Sequence, residues 1–275
     1  MYRTRIALAL SSIALILLAA SPLSAAFVAG QFAPGGTTVR VSSIDILFYH
    51  LPGFVPPACP GTGSPACSST DAVGNLIVQP PTTSTFTGRA GETGAVKNLT
   101  RNPVAEPNLA YAPTDVGLSI DNWLVLPNAP SITFRLTTLT SGLTASAGTA
   151  PICNSANWND AGYRCTPDAA SPFLLTNVQT FPGGPINTDV SMSALGLAWF
   201  VATPGEKSNA VISLITTRAA MTIGDVLTQV STQGFTEGAL GGSIVVTPIP
   251  EPATFALSGA ALLAIGLFLK KGTRR

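Results

Sequence analysis

Histidine and charge are what this chain has least of. Its 275 residues include one histidine, His50, and charged residues make up 10% of the total. A Ser–His–acid triad would have to use His50, and no Gly-x-Ser-x-Gly motif is present to carry the nucleophile. A zinc site that uses histidine would face the same shortage. We therefore expect no catalytic residues, no metal and no cofactor.

Positive charge is scarce away from the two ends of the sequence. Six of the fourteen lysines and arginines lie within residues 1–5 and 270–275. Residues 27–247 hold eight basic and twelve acidic residues, which gives a formal charge of −4. Nucleic-acid-binding proteins present a basic face. We therefore expect no nucleic-acid partner.

Long apolar stretches occur near the two ends. Residues 1–5 carry two arginines, an apolar stretch with two serines covers 6–20, and small residues follow at 24–26. This order is typical of a secretory signal peptide. We predict a signal peptide over residues 1–26, removed by signal peptidase after Ala26, and hence an exported chain.

The second apolar stretch covers 253–269 and contains no charged residue. As a helix it would be about 25 Å long, close to the thickness of a bilayer core. We predict a transmembrane helix here, in contact with membrane lipid, and the positive-inside rule places the residues after it in the cytoplasm. Those residues, 270–275, form a tip with four cations, Lys270, Lys271, Arg274 and Arg275.

A Pro-Glu-Pro triplet, Pro250, Glu251 and Pro252, stands directly before this stretch. Its prolines do not fit inside a regular helix, so we expect the triplet to be extended and exposed. In this order, triplet, span and basic tip resemble the PEP-CTERM sorting signal of bacterial exported proteins, although Ile249 stands where that family often has valine. The resemblance covers residues 248–275. The alternative is an ordinary C-terminal anchor.

This resemblance implies a route through the cell envelope. In that family a membrane protease, exosortase, is thought to recognise the triplet, remove the span and pass the protein to the cell surface or extracellular polysaccharide. The expected location is thus the inner membrane, with the ectodomain outside the cytoplasm, and then the cell surface or extracellular matrix after processing. The resemblance implies no activity for the ectodomain.

Four cysteines form two local pairs, Cys59 with Cys67 and Cys153 with Cys165. In an exported chain they indicate disulfides. Three pairings are possible, and we favour the local ones because each pair brackets a segment rich in Pro, Gly or Asn. Zinc is the competing interpretation, but the spacing does not match a zinc ribbon.

The composition of residues 27–247 is typical of a secreted β-domain, because Thr, Ser, Gly, Pro and Val are abundant. Alternating apolar residues predict strands. The segments are 39–49, 75–79, 82–87, 122–126, 131–140, 173–180, 189–202, 209–217 and 243–247, with a hairpin at Pro204-Gly205. One segment, 222–230, has helical spacing, with Thr222 as its cap. We predict one antiparallel β-sandwich ectodomain with a short helix packed on it.

Two loop features suggest binding. Trp158 lies among polar residues and is the one tryptophan we would test for contact with a sugar ring. Asn154, Asn157, Asn159 and Asp160 could offer oxygens to calcium, but they lack EF-hand spacing, and turn-forming side chains explain them as well.

The leading function is therefore a non-enzymatic component of the cell surface or extracellular matrix. A module that binds carbohydrate, such as exopolysaccharide, is the second hypothesis. A secreted hydrolase is the third, since any two of the twelve acids could form a carboxylate pair.

Overall fold

The computed structural model describes residues 27–42, 45–48, 73–100, 118–144, 150–169 and 171–249. Within these residues the chain is mainly β, as predicted, with one α-helix, α1 (Ile223–Gln233), between its last two strands. The strands are β1 (Gly30–Gly35), β2 (Thr38–Val41), β3 (Asp45–Phe48), β4 (Val73–Gln79), β5 (Thr93–Lys97), β6 (Leu99–Thr100), β7 (Ile120–Leu126), β8 (Ile132–Leu139), β9 (Arg164–Cys165), β10 (Phe173–Gln179), β11 (Ile186–Phe200), β12 (Ser208–Arg218) and β13 (Thr236–Pro248).

Eight strands close into an antiparallel barrel in the order β13-β1-β4-β5-β7-β8-β11-β12. The predicted β-sandwich is therefore wrong. The ring closes because β12 pairs with β11 on one side and with β13 on the other, which leaves one continuous wall instead of two stacked sheets. Alternation of inward and outward residues is the same along a sandwich strand and a barrel strand, so the sequence pattern does not separate the two.

Two strands of the barrel extend beyond it. Residues 186–192 of β11 pair with β10, whereas residues 194–200 pair with β8. Residues 236–239 of β13 pair with β2, whereas residues 244–246 pair with β1. β9 adds to β10, β3 adds to β2, and β6 adds to β3. We call these five added strands, with the parts of β11, β12 and β13 beside them, the distal sheet.

Side chains fill the barrel, as expected for eight strands. The ring of Phe32 lies 4.8 Å from that of Phe86 and 6.3 Å from that of Phe134, and all three are buried. Phe86 belongs to a 3-10 turn, Ser84–Phe86. This turn therefore closes one end of the barrel.

Two local predictions are wrong. The single strand predicted over 39–49 is a hairpin, because β2 and β3 pair with Val39 opposite Phe48. The strand predicted over 82–87 contains the 3-10 turn, and beside it Thr83 bonds to the backbone of Gln31 and Thr85 to the backbone of Ala29.

The predicted helix and hairpin are confirmed. The Thr222 side chain accepts a hydrogen bond from the backbone N–H of Asp225, whose carboxylate accepts one from the backbone N–H of Thr222, so α1 begins with a capping box. It ends at Gly234, whose φ of 84° suits glycine. β11 and β12 form the hairpin around Pro204-Gly205.

The predicted transmembrane span, 253–269, lies outside the described residues. In the part of the chain that is described, no helix combines the length and the apolar character needed to cross a bilayer.

The chain enters and leaves the barrel at the same end. Gly30 pairs with Val246, so β1 begins where β13 finishes. Loops 80–92, 127–131 and 201–207 lie at this end, since they connect β4 to β5, β7 to β8 and β11 to β12. We call these three loops, with residues 27–29 and Ile249, the exit end.

Candidate functional site at the disulfide loop

Several predicted site residues lie outside the described residues. These are Pro250, Glu251, Pro252, Lys270, Lys271, Arg274, Arg275, Cys59 and Cys67. His50, which was not predicted to be a site residue, also lies outside them. The sorting signal and the first disulfide therefore stay predictions.

The second predicted disulfide is confirmed. Cys153 and Cys165 are bonded with an S–S distance of 2.07 Å, and they close a loop with a sequence separation of 12. The backbone supports the bond on both sides, since the Cys153 N–H donates to the Thr166 carbonyl at 2.8 Å and the Thr166 N–H donates to the Pro151 carbonyl at 2.9 Å. The loop is thus fixed at its base.

Polar residues inside this loop shape its turns. The Asn154 side chain accepts a hydrogen bond from the Ala156 N–H at 3.0 Å and caps the 3-10 turn Ser155–Asn157. The Asn157 amide donates to the Asp160 carboxylate at 3.0 Å. The described residues contain no group of three or more His, Cys, Asp or Glu side chains placed to hold a metal ion. The contacts of these side chains are those of turn-forming residues.

Trp158 is half-buried against the start of α1. A Cβ atom on Gly224 would lie 3.1 Å from Cε3 of the Trp158 ring, so the glycine allows the ring to approach the helix. The indole Nε1–H is buried and has no hydrogen-bond partner among the described residues. Part of the Trp158 ring therefore packs against the protein, and a sugar could contact only the exposed part of the ring.

Asn177 is the residue that holds this loop in place. It lies on β10 opposite Thr188 of β11 and is 1% exposed. Its side-chain Nδ2 donates to the carbonyls of Trp158 at 2.8 Å and Asp160 at 2.9 Å. Its Oδ1 accepts from the Thr188 hydroxyl at 3.0 Å and from the Ile223 N–H at 2.9 Å. One amide thus connects the disulfide loop, the β10–β11 hairpin and the first turn of α1.

Sequence reasoning missed Asn177, although a signal was present. In the predicted strand over 173–180, period-two alternation puts residues 173, 175 and 177 on one face. Phe173 and Leu175 are apolar, and Asn177 is the polar residue on that face. A polar side chain at a core position needs partners, and these came from loops distant in sequence.

No family model, curated protein or solved structure matches this chain. The function must therefore be argued from its own residues.

The distal sheet also carries a small apolar cleft. Its volume is about 20 Å³, close to the least that holds one water molecule. The lining includes Val39, Val41, Phe173, Val190, Met192 and Leu240. A cleft of this size does not accommodate a substrate or a sugar ring.

Proposed function

We propose that this chain is an exported, non-enzymatic protein of the cell surface or extracellular matrix, sorted by its C-terminal segment. The observation that carries the proposal is the order of Pro250-Glu251-Pro252, the apolar stretch 253–269 and the basic tip. The Cys153–Cys165 bond supports export, because disulfides form and persist in oxidising compartments. Signal peptidase and exosortase are the proposed processing enzymes, and membrane lipid is the partner of the apolar stretch.

Replacing the triplet tests the sorting step. In Pro250→Ala/Glu251→Ala/Pro252→Ala the extended, recognisable shape before the span is lost. We expect the wild-type chain to reach the extracellular matrix and this variant to stay in the membrane fraction, measured by fractionation and blotting. Ile249→Val is the matched control, which changes a neighbouring residue to the one common in the family and should sort normally. Equal release of the triplet variant would contradict the proposal.

Carbohydrate binding is a second proposal, and the partial exposure of Trp158 in an anchored loop favours it. We expect Trp158→Ala to abolish retention of the protein on a polysaccharide affinity gel. Phe181→Ala is the control, because Phe181 is 60% exposed in the β10–β11 turn and should not matter. Unfolding curves of both variants would show that they fold. Unchanged retention of a folded Trp158→Ala protein would remove this proposal.

A further inference from the structure

The exit end differs from the rest of the surface in its charge. Every exposed residue of loops 80–92, 127–131 and 201–207 is uncharged. Arg89 and Glu92 are buried and paired with each other, and Glu206 and Lys207 are partly buried charges of opposite sign. The end therefore has no net charge.

Charged side chains of the described residues are frequent elsewhere. Among the described residues away from the exit end, Asp160 in the disulfide loop and Asp225 at the start of α1 are charged and exposed. Moving a charged group out of water towards a low-dielectric layer is costly unless it is paired. The exit end exposes no charged residue to such a layer, whereas the opposite end would expose these two carboxylates to it.

The connection between the exit end and the predicted span is short. Pro248 still pairs with Ser208, and three residues, 250–252, separate Ile249 from Ala253. A fully extended chain covers at most about 3.6 Å per residue, so the connection from Ile249 to the predicted span can be no longer than roughly 14 Å. Residue 27, where the chain would begin after removal of the predicted signal peptide, lies at the same end of the barrel.

We infer that the exit end lies against the lipid headgroup layer while the chain is anchored, with the distal sheet pointing away from the membrane. This inference rests on the proposed function, because it requires the 253–269 stretch to span the bilayer. It adds an orientation: loops 80–92, 127–131 and 201–207 form the membrane-facing surface, and the disulfide loop with Trp158 faces outward.

Two alanines provide matched probe positions for a test. Ala202 is exposed in the exit-end loop 201–207, and Ala219 is exposed just after β12. At about 3.3 Å per residue, the eleven-residue strand β12 separates them by roughly 30 Å. The full chain carrying Ala202→Cys or Ala219→Cys is labelled with one fluorophore, checked by mass for a single label, and reconstituted into phosphatidylcholine vesicles that contain a nitroxide-headgroup lipid.

We expect loss of fluorescence at position 202 and none at position 219, with vesicle flotation measured on the same samples. A Gly-Ser linker of about twelve residues inserted after Ile249 should remove the quenching, because it frees the barrel from the surface. A chain that floats with vesicles but shows no quenching at 202, or equal quenching at both positions, overturns the orientation and leaves the anchor intact. A chain that does not float overturns the anchor and the orientation together.

Discussion

Glu92→Gln should lower the free energy of unfolding by about 3–5 kcal/mol, because it leaves the Arg89 guanidinium buried without its countercharge. The Arg89 Nη1 lies 2.8 Å from the Glu92 Oε2, and the two side chains are 8% and 1% exposed. Arg89 Nη2 also donates to the Pro130 carbonyl, and Glu92 Oε1 accepts from the Asn128 N–H at 2.9 Å. The pair therefore holds loop 80–92 to loop 127–131 at the exit end. Urea unfolding measures the loss.

A surface ion pair provides the control. Asp121 and Arg135 form a salt bridge whose side chains are 52% and 31% exposed. Asp121→Asn should cost less than about 1 kcal/mol, because solvent already screens that interaction. If Glu92→Gln and Asp121→Asn lowered the free energy of unfolding by similarly small amounts, burial of the exit-end pair would not matter to stability.

Asn177→Ala should destabilise the protein by about 3 kcal/mol or more, since each buried group left without a partner costs about 1–3 kcal/mol. The variant leaves the carbonyls of Trp158 and Asp160 and the N–H of Ile223 without the amide that serves them. Besides the change in unfolding free energy, hydrogen exchange at the Ile223 amide should become faster, because this N–H is at the first residue of α1 and loses its acceptor in the variant.

Gln179→Ala is the matched control on the same strand. The Gln179 Nε2 donates to the Gly184 carbonyl at 2.7 Å within its own turn and reaches neither the disulfide loop nor α1. Its removal should cost less than about 1 kcal/mol. If the two variants were equally stable, or if exchange at Ile223 were unchanged in Asn177→Ala, Asn177 would not be the connection described above.

Features fixed by neighbouring residues were predictable from the sequence. The helix is an example, because Ile223, Val226 and Val230 repeat at helical spacing and Thr222 with Asp225 caps the first turn. The β11–β12 hairpin is another, since two alternating runs flank Pro204-Gly205. In both cases the determining contacts lie within a few residues.

Closure of the barrel was not predictable in this way. It depends on β1 and β5, which the sequence analysis left unassigned because glycine and proline interrupt their apolar pattern. β13 was predicted only from residue 243, although it begins at Thr236. The pattern was interrupted at Gly242. This position requires glycine, because its φ is 133° and a Cβ atom there would lie 2.0 Å from the Ser213 carbonyl oxygen of β12. A residue that weakens the strand pattern thus permits the pairing that closes the ring.

The site shows the same division. The Cys153–Cys165 pair was favoured over the other pairings because it brackets a segment rich in Pro, Gly or Asn, and it is confirmed. The packing of Trp158 on Gly224 and the hydrogen bonds of Asn177 join segments that are distant in sequence. A single sequence does not indicate which residues of such segments face each other. The partial burial of Trp158 narrows the surface that a sugar could use.

The intact mass of the wild-type chain, recovered separately from membranes and from the extracellular matrix, tests the sorting proposal most directly. We predict a matrix species that begins at Phe27 and ends within residues 250–252. A species that keeps Arg275 and occurs only in membranes would contradict that account, and it would identify the C-terminal segment as an ordinary anchor.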